Sequence, residues 1–231
     1  IEGSSEIAEN VTLAQLIPHS PLADAHVHLR CPEACHAAIN HLVPGLKLHG
    51  EDSELATDIP LTALTSLPAL MKLDESASAA LLTPAADDEA RKGESIGICL
   101  DTAGNSSLMA RDLAPLIQLK DIRFDALHPL ADPTPTALSL TSADTNMSLV
   151  ERIQSQPLII GGDGVTARLA AAMGKPVWLL CDRFPDWAWG LDLEQSSLYP
   201  NVRLFRQARC GDWHLPVASL VAALRQLPTQ P

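Results

Sequence analysis

Pro157–Leu180, PLIIGGDGVTARLAAAMGKPVWLL, decides the fold. Its opening, Pro157–Ile160, is an apolar run short enough for a buried strand. Gly161-Gly162-Asp163-Gly164 follows, a corner where glycine lets the chain turn tightly and a ligand approach the backbone. A helix starts just after it, with Val165, Leu169, Ala172 and Met173 on one face. Gly174 and Pro176 sit where a helix stops, and Val177–Leu180 reads as the next buried strand. Strand, glycine corner, helix, strand is a βαβ unit. Its first turn aims N–H groups and the helix dipole at whatever binds there. An ordinary crossover with no ligand has the same pattern, so function must be argued from the site.

Outward from this unit the same alternation continues. Ile96–Leu100 and Ile122–Phe124 read as strands, and Leu108–Leu119 as a helix with Pro115 as a kink or boundary. Asn146–Gln154 reads as a helix, Val202–Phe205 as a last strand and Val217–Leu227 as a terminal helix. Toward the N-terminus, Val11–Ile17 has helical spacing closed by Pro18. His26–Arg30 is a strand, and a helix runs from Pro32 to Leu42. Leu46–His49 and Ala79–Thr83 are strand candidates, Leu61–Leu70 a short helix, and Pro129–Pro135 a loop. Ala85–Glu94 is charged and without period, which makes it a linker. The expectation is an α/β protein with mostly parallel sheets, divided into residues 1–88 and 89–231.

Composition narrows the function. With 231 residues and 46% apolar content, the chain can bury a core, and at 3% aromatic that core is mostly aliphatic. The net charge of -12, from 28 acidic and 16 basic residues, argues against nucleic acid as a partner. Five widely spaced cysteines do not form a disulfide framework and imply free thiols. No apolar run approaches the roughly 18–20 residues of a membrane span, and no basic-then-apolar signal segment opens the chain. A cytoplasmic setting is expected.

Several motifs then converge. Pro157–Leu180 continues into PDWAWGLDLEQSSLYPNVRLFRQ, Pro185–Gln207, and Gly211-Asp212-Trp213 lies beyond it. IGICLDTAGNSS, Ile96–Ser107, has a strand and a Gly-Asn turn. Together these residues resemble the glycosyltransferase domain that follows tetratricopeptide repeats in many bacterial proteins. That domain is similar to the heptosyltransferases of family 9 and more distantly to O-GlcNAc transferases. The resemblance spans most of residues 11–227 and is tightest at the C-terminal end. It implies a GT-B fold, two Rossmann-like halves with a nucleotide sugar held mainly by the second. The implied donor-site residues are Asp163, Gly164, Val165, Thr166, Arg168, Asn105, Arg111 and Trp187. No metal or redox cofactor is implied. A protein or glycan acceptor, or a scaffold partner, completes the set.

The departures from that family are concentrated in its chemistry. The family opens with a strand and Gly-x-Gly-Asp, the Asp being the base. Here Ile7 and Glu9 replace the glycines and Asn10 replaces the Asp, and an amide takes no proton from an acceptor hydroxyl. In the phosphate loop the usual Thr is Gly164 and the usual His is Arg168, which can still pair with a pyrophosphate. Two expected arginines are Ala188 and Leu193. Framework residues Gly174, Lys175, Pro176, Trp187, Tyr199 and Pro200 remain. Two readings stand: a glycosyltransferase-like nucleotide-sugar binder with degraded catalytic residues, or an inactive pseudo-glycosyltransferase that binds or scaffolds.

Two smaller patterns remain. His26 and His28 on alternate strand positions would suit the metal of a hydrolase, but that fold needs a barrel of about 250 residues. Cys31 and Cys35, with His36 and His28 near, have the spacing of a metal clip. Without Cys-x-x-Cys pairs they read as buried thiols beside a histidine. Trp187 and Trp189 serve either as a ring platform in the cleft or, preferably, as anchors of an irregular segment.

Overall fold

The computed structural model describes residues 7–20, 22–53, 63–66, 71, 95–100, 108–127, 140–141, 147–190, 194–196 and 198–228. The strand expected at Ala79–Thr83, the linker Ala85–Glu94, the loop Pro129–Pro135 and most of Leu61–Leu70 lie outside them. The chain forms two compact units, Ile1–Leu82 and Thr83–Pro231.

In the first unit, helix α1 (Ile7–Ala14) and a 3-10 turn (Ile17–His19) precede strand β1 (His28–Arg30). A 3-10 turn (Glu33–Cys35) leads into α2 (His36–Leu42), and β2 (Lys47–His49) follows. β1 and β2 pair in parallel, His28 opposite Lys47 and Arg30 opposite His49. The first helix begins before Val11 and has ended before Pro18, whose missing N–H is tolerated in the opening turn of the next element. Val11, Leu13, Leu29, Cys35 and Ile39 are buried.

The second unit is an open six-stranded parallel sheet. Its strands are β3 (Ser95–Cys99), β4 (Arg123–Ala126), β5 (Leu140–Thr141), β6 (Ile159–Gly161), β7 (Val177–Cys181) and β8 (Val202–Arg206). Their order in space is β5-β4-β3-β6-β7-β8, with every pairing parallel. The chain runs outward from β3 to β5, then returns to the other side of β3 and runs outward again. This is the strand order of a dinucleotide-binding sheet, and its direction reverses between β3 and β6. The α/β class with parallel sheets is therefore present. A closed barrel, needed for the hydrolase reading of His26 and His28, is not what these strands form.

Helices α3 (Leu149–Gln154) and α4 (Val165–Ala172) connect strands, and α5 (His214–Arg225) follows β8. α3 starts at Ser148, whose side chain accepts from the amide of Glu151 while the Glu151 carboxylate accepts from the amide of Ser148 at 2.8 Å. The expected α-helix over Leu108–Leu119 is instead a 3-10 helix, Ala110–Gln118. Pro115 has no N–H for an i to i−4 bond, and its ring crowds the preceding turn, which favours tighter winding. α5 begins before Val217 because Pro216 falls in its first turn, where no intrahelical donor is lost. Ile96, Ile98, Leu113, Leu116, Ile160, Leu180, Val217 and Leu220 share one buried core. Each such side chain contributes about 1.5–3 kcal/mol when fully buried.

Candidate functional site

The glycine corner ends β6 beside the reversal point. Cys99 and Gly161 are paired across β3 and β6. A Cβ on Gly161 would collide with the Cys99 carbonyl oxygen and thiol, so only glycine allows this approach. Gly164 is extended, with φ -163° and ψ 176°, and is the cap residue of α4. It has no side chain to satisfy the first turn. The Gly164 carbonyl accepts from the amide of Arg168 at 3.1 Å. At the far end of α4, Gly174 takes φ 81°. Its amide bonds to Ala171 O and that of Lys175 to Ala170 O, both at 3.0 Å. These paired bonds stop the helix in the left-handed conformation that glycine permits.

Asp163, Thr166 and Arg168 are all buried at this corner, and Val165 is half-buried. The Arg168 guanidinium, only 2% exposed, faces two carboxylates. Its Nη2 lies 3.1 Å from Asp163 Oδ1 and 3.1 Å from Asp186 Oδ1, and its Nε donates to Asp163 Oδ1 at 3.3 Å. The guanidinium carbon sits 5.2 Å from the centre of the Trp189 ring. Burial by itself would lower the Arg168 pKa, but Asp163 and then Asp186 outweigh it and the pKa is raised. Arg168 is charged, and two carboxylates face that one cation.

Asp186 also organises the turn it belongs to. Its Oδ1 accepts from the amide of Ala188 at 3.0 Å, and its carbonyl accepts from the amide of Trp189 at 3.1 Å. Trp187–Trp189 form a 3-10 turn. Trp189 is fully buried against Tyr199, with ring centres 5.8 Å apart. Ala188, where the resemblance expects arginine, is fully buried as well. From β8, Arg206 Nη2 donates to the carbonyls of Trp189 at 3.2 Å and Gly190 at 3.0 Å. Trp189 is thus an anchor of the irregular segment. Cys181, at the end of β7, has its thiol pushed up to about 12 by burial and stays neutral.

The sequence-derived residues therefore divide. Asp163, Gly164, Val165, Thr166 and Arg168 meet at one corner. Arg111 is exposed in the first turn of the 3-10 helix after β3. Asn105 and the Trp187 side chain lie outside the described residues. Asp186 and Arg206 were not singled out from the sequence. Asp186 opens the DWAW stretch on which the resemblance partly rests, and the signal of Arg206 is its position at the end of β8. Asn10, where the resemblance expects a base after a strand, is fully buried within helix α1.

In the first unit, His28 Nδ1 lies 2.9 Å from His49 Nε2, and the two rings stack with centres 5.0 Å apart. Among the described residues no group of three or more His, Cys, Asp or Glu is placed to hold a metal ion. A cavity of about 270 Å³ opens at the N-terminal ends of β1 and β2, bordered by Ile17, Leu22, His26, Val43 and Lys47. It lies away from the strand C-termini where α/β sheets take ligands. No helix among the described residues is long and apolar enough to cross a membrane.

No family model matches the chain, and no curated protein matches it. Among solved structures it is similar to the iron-containing dodecameric glycosyltransferase TibC from enterotoxigenic E. coli H10407. The two are 13% identical, and the match covers 80% of this chain and 60% of TibC with a TM-score of 0.48.

Proposed function

We propose that the chain is a glycosyltransferase-like module that no longer transfers sugar and acts as a binding or scaffold element. Its second unit would offer a residual nucleotide-sugar site at the corner Asp163–Thr166. One observation carries this reading: Arg168, the cation the resemblance assigns to the diphosphate, is already engaged by Asp163 and Asp186. A diphosphate arriving there would meet more carboxylate than guanidinium charge. Transfer chemistry depends on fixed cations and N–H groups that stabilise the leaving diphosphate. The backbone of the corner would supply the second kind of group, whereas Arg168 does not supply the first. Asn10 at the position of the base supports the same conclusion, because an amide does not accept the acceptor's proton. The strand order, with its reversal beside the corner, supports a retained nucleotide-type site.

Calorimetry with UDP-, GDP- and ADP-sugars, followed by an assay for released nucleoside diphosphate, tests this. The expected result is a Kd of about 1 mM or weaker, near 4 kcal/mol of binding, with no release. Micromolar binding that falls at least tenfold in Arg111→Ala, or steady diphosphate release, would overturn it. Arg111 is exposed, so that variant leaves the core intact.

A further inference from the structure

We propose that Cys31 and Cys35 form a reversible two-electron oxidation site, which a small peroxide converts from dithiol to intramolecular disulfide. Cys31 follows β1 directly, and its amide donates to the His49 carbonyl at 3.0 Å. Pro32, with φ -53° and ψ 135°, turns the chain back so that Cys35 closes the next turn. The amide of Cys35 bonds to Pro32 O at 3.1 Å. This makes the two thiols interacting neighbours at one corner. The Cys35 sulfur also lies 2.8 Å from Pro32 O, so its single proton is offered either to that carbonyl or to Cys31. His36 joins the pair, with Nε2 3.2 Å from the Cys31 carbonyl oxygen and its ring close enough to hydrogen-bond the Cys31 thiol. Two thiols and an imidazole thus meet at one strand-to-helix corner.

The thiols are unequal. Hydrogen bonding from Cys35, and then the charge of His36, lower Cys31 to about 7 against the opposing effects of burial and Glu51. The Cys35 thiol is pushed up, first by its bond to Cys31 and then by burial. Cys31 is therefore the thiol that ionises first, and Cys35 keeps its proton. Thiolate is the reactive form of the residue. Both side chains are almost fully covered, Cys31 1% and Cys35 0% exposed, so the oxidant must be small.

The steps balance as follows. The Cys31 thiolate attacks one peroxide oxygen, the O–O bond breaks, and the departing hydroxide leaves as water after taking a proton. Cys31 is now a sulfenic acid. The Cys35 sulfur attacks the Cys31 sulfur, the S–O bond breaks, and the hydroxyl leaves as water with the Cys35 proton. The dithiol loses two electrons, and hydrogen peroxide becomes two waters. A dithiol reductant reverses the change.

The test treats the whole protein with graded hydrogen peroxide, then alkylates it unfolded, digests it with trypsin and weighs the peptides. Cys31 and Cys35 fall in one peptide, residues 31–47, without another cysteine. The expected result is that this peptide becomes two hydrogens lighter and refuses both alkyl groups, and that dithiothreitol restores it. This should occur at about tenfold less peroxide than the buried Cys99 and Cys181 of the second unit require. In Cys35→Ser, a sulfenic acid on Cys31 should be trapped by dimedone. In His36→Gln, the pH midpoint of oxidation should move up. The proposal fails if peptide 31–47 keeps both alkyl groups at doses that already oxidise Cys99 or Cys181. It fails equally if wild-type Cys31 goes to sulfinic acid without the disulfide.

Discussion

Replacing Arg168 by methionine isolates the buried charge cluster. Methionine keeps most of the aliphatic volume, so little cavity forms. What disappears is the cation between Asp163, with its side chain 9% exposed, and Asp186, with its side chain 25% exposed. Removing one partner of a buried pair costs about 3–5 kcal/mol, because the remaining charge stays desolvated. Asp163 bears most of that cost, since Asp186 retains some access to water. The cation–π contact with Trp189 is worth about 1 kcal/mol or somewhat more when covered. These contributions belong to one network and do not simply add. The expected loss is about 4 kcal/mol, a large part of the 5–15 kcal/mol that ordinary domains possess.

Urea unfolding followed by tryptophan fluorescence measures it. Trp178, Trp187, Trp189 and Trp213 all lie in the second unit, so the signal reports that unit. The Arg168 pKa is raised. Its contribution is therefore complete at neutral pH and disappears only as pH climbs through the folded value. Adding Asp163→Asn to Arg168→Met removes the stranded charge and should recover about 2 kcal/mol. A single-variant loss below about 1 kcal/mol would refute this reasoning. So would a double variant as unstable as the two single losses added together.

Two other results follow from local geometry. Gly161→Ala should destabilise the second unit by about 3 kcal/mol, at the upper end of overpacking costs, because its Cβ would meet backbone on β3. Urea unfolding reads this, and a loss below about 0.5 kcal/mol would mean that β3 and β6 can separate freely. His28 titrates below its ordinary 6.5, first because burial disfavours its charge and then because of Lys47 and His49. A depressed folded pKa gives stability that is present above 6.5 and lost as pH falls through the folded value. The protection factors of first-unit amides, which divide out the intrinsic pH dependence of exchange, should therefore fall on acidification, and His28→Gln should flatten that response. An equal acid response in both proteins would remove His28 as its cause.

The second unit was legible because its signals are local. Pro157–Leu180 carries an apolar run, a glycine corner, a helical face and a glycine stop, and each maps onto an observed element. The two-residue strand β5 carries no periodicity and was missed. Pro115 marks a kink or a boundary in the sequence, but the whole of Ala110–Gln118 is 3-10, because winding is cooperative along a segment and periodicity cannot distinguish tight from loose turns.

The sequence by itself determined the alternation of strand and helix, the parallel sheet this implies, and the net acidic charge. These follow from residue order and charge. Only the tertiary structure decided what Arg168 does. An arginine shortly after a glycine corner reads as a free cation until Asp186 is brought beside it from beyond β7. The same holds for Cys31 and Cys35, whose spacing says nothing of which thiol keeps its proton. Charge and proton affinity depend on neighbours within a few ångströms, and chain folding, not chain order, selects those neighbours.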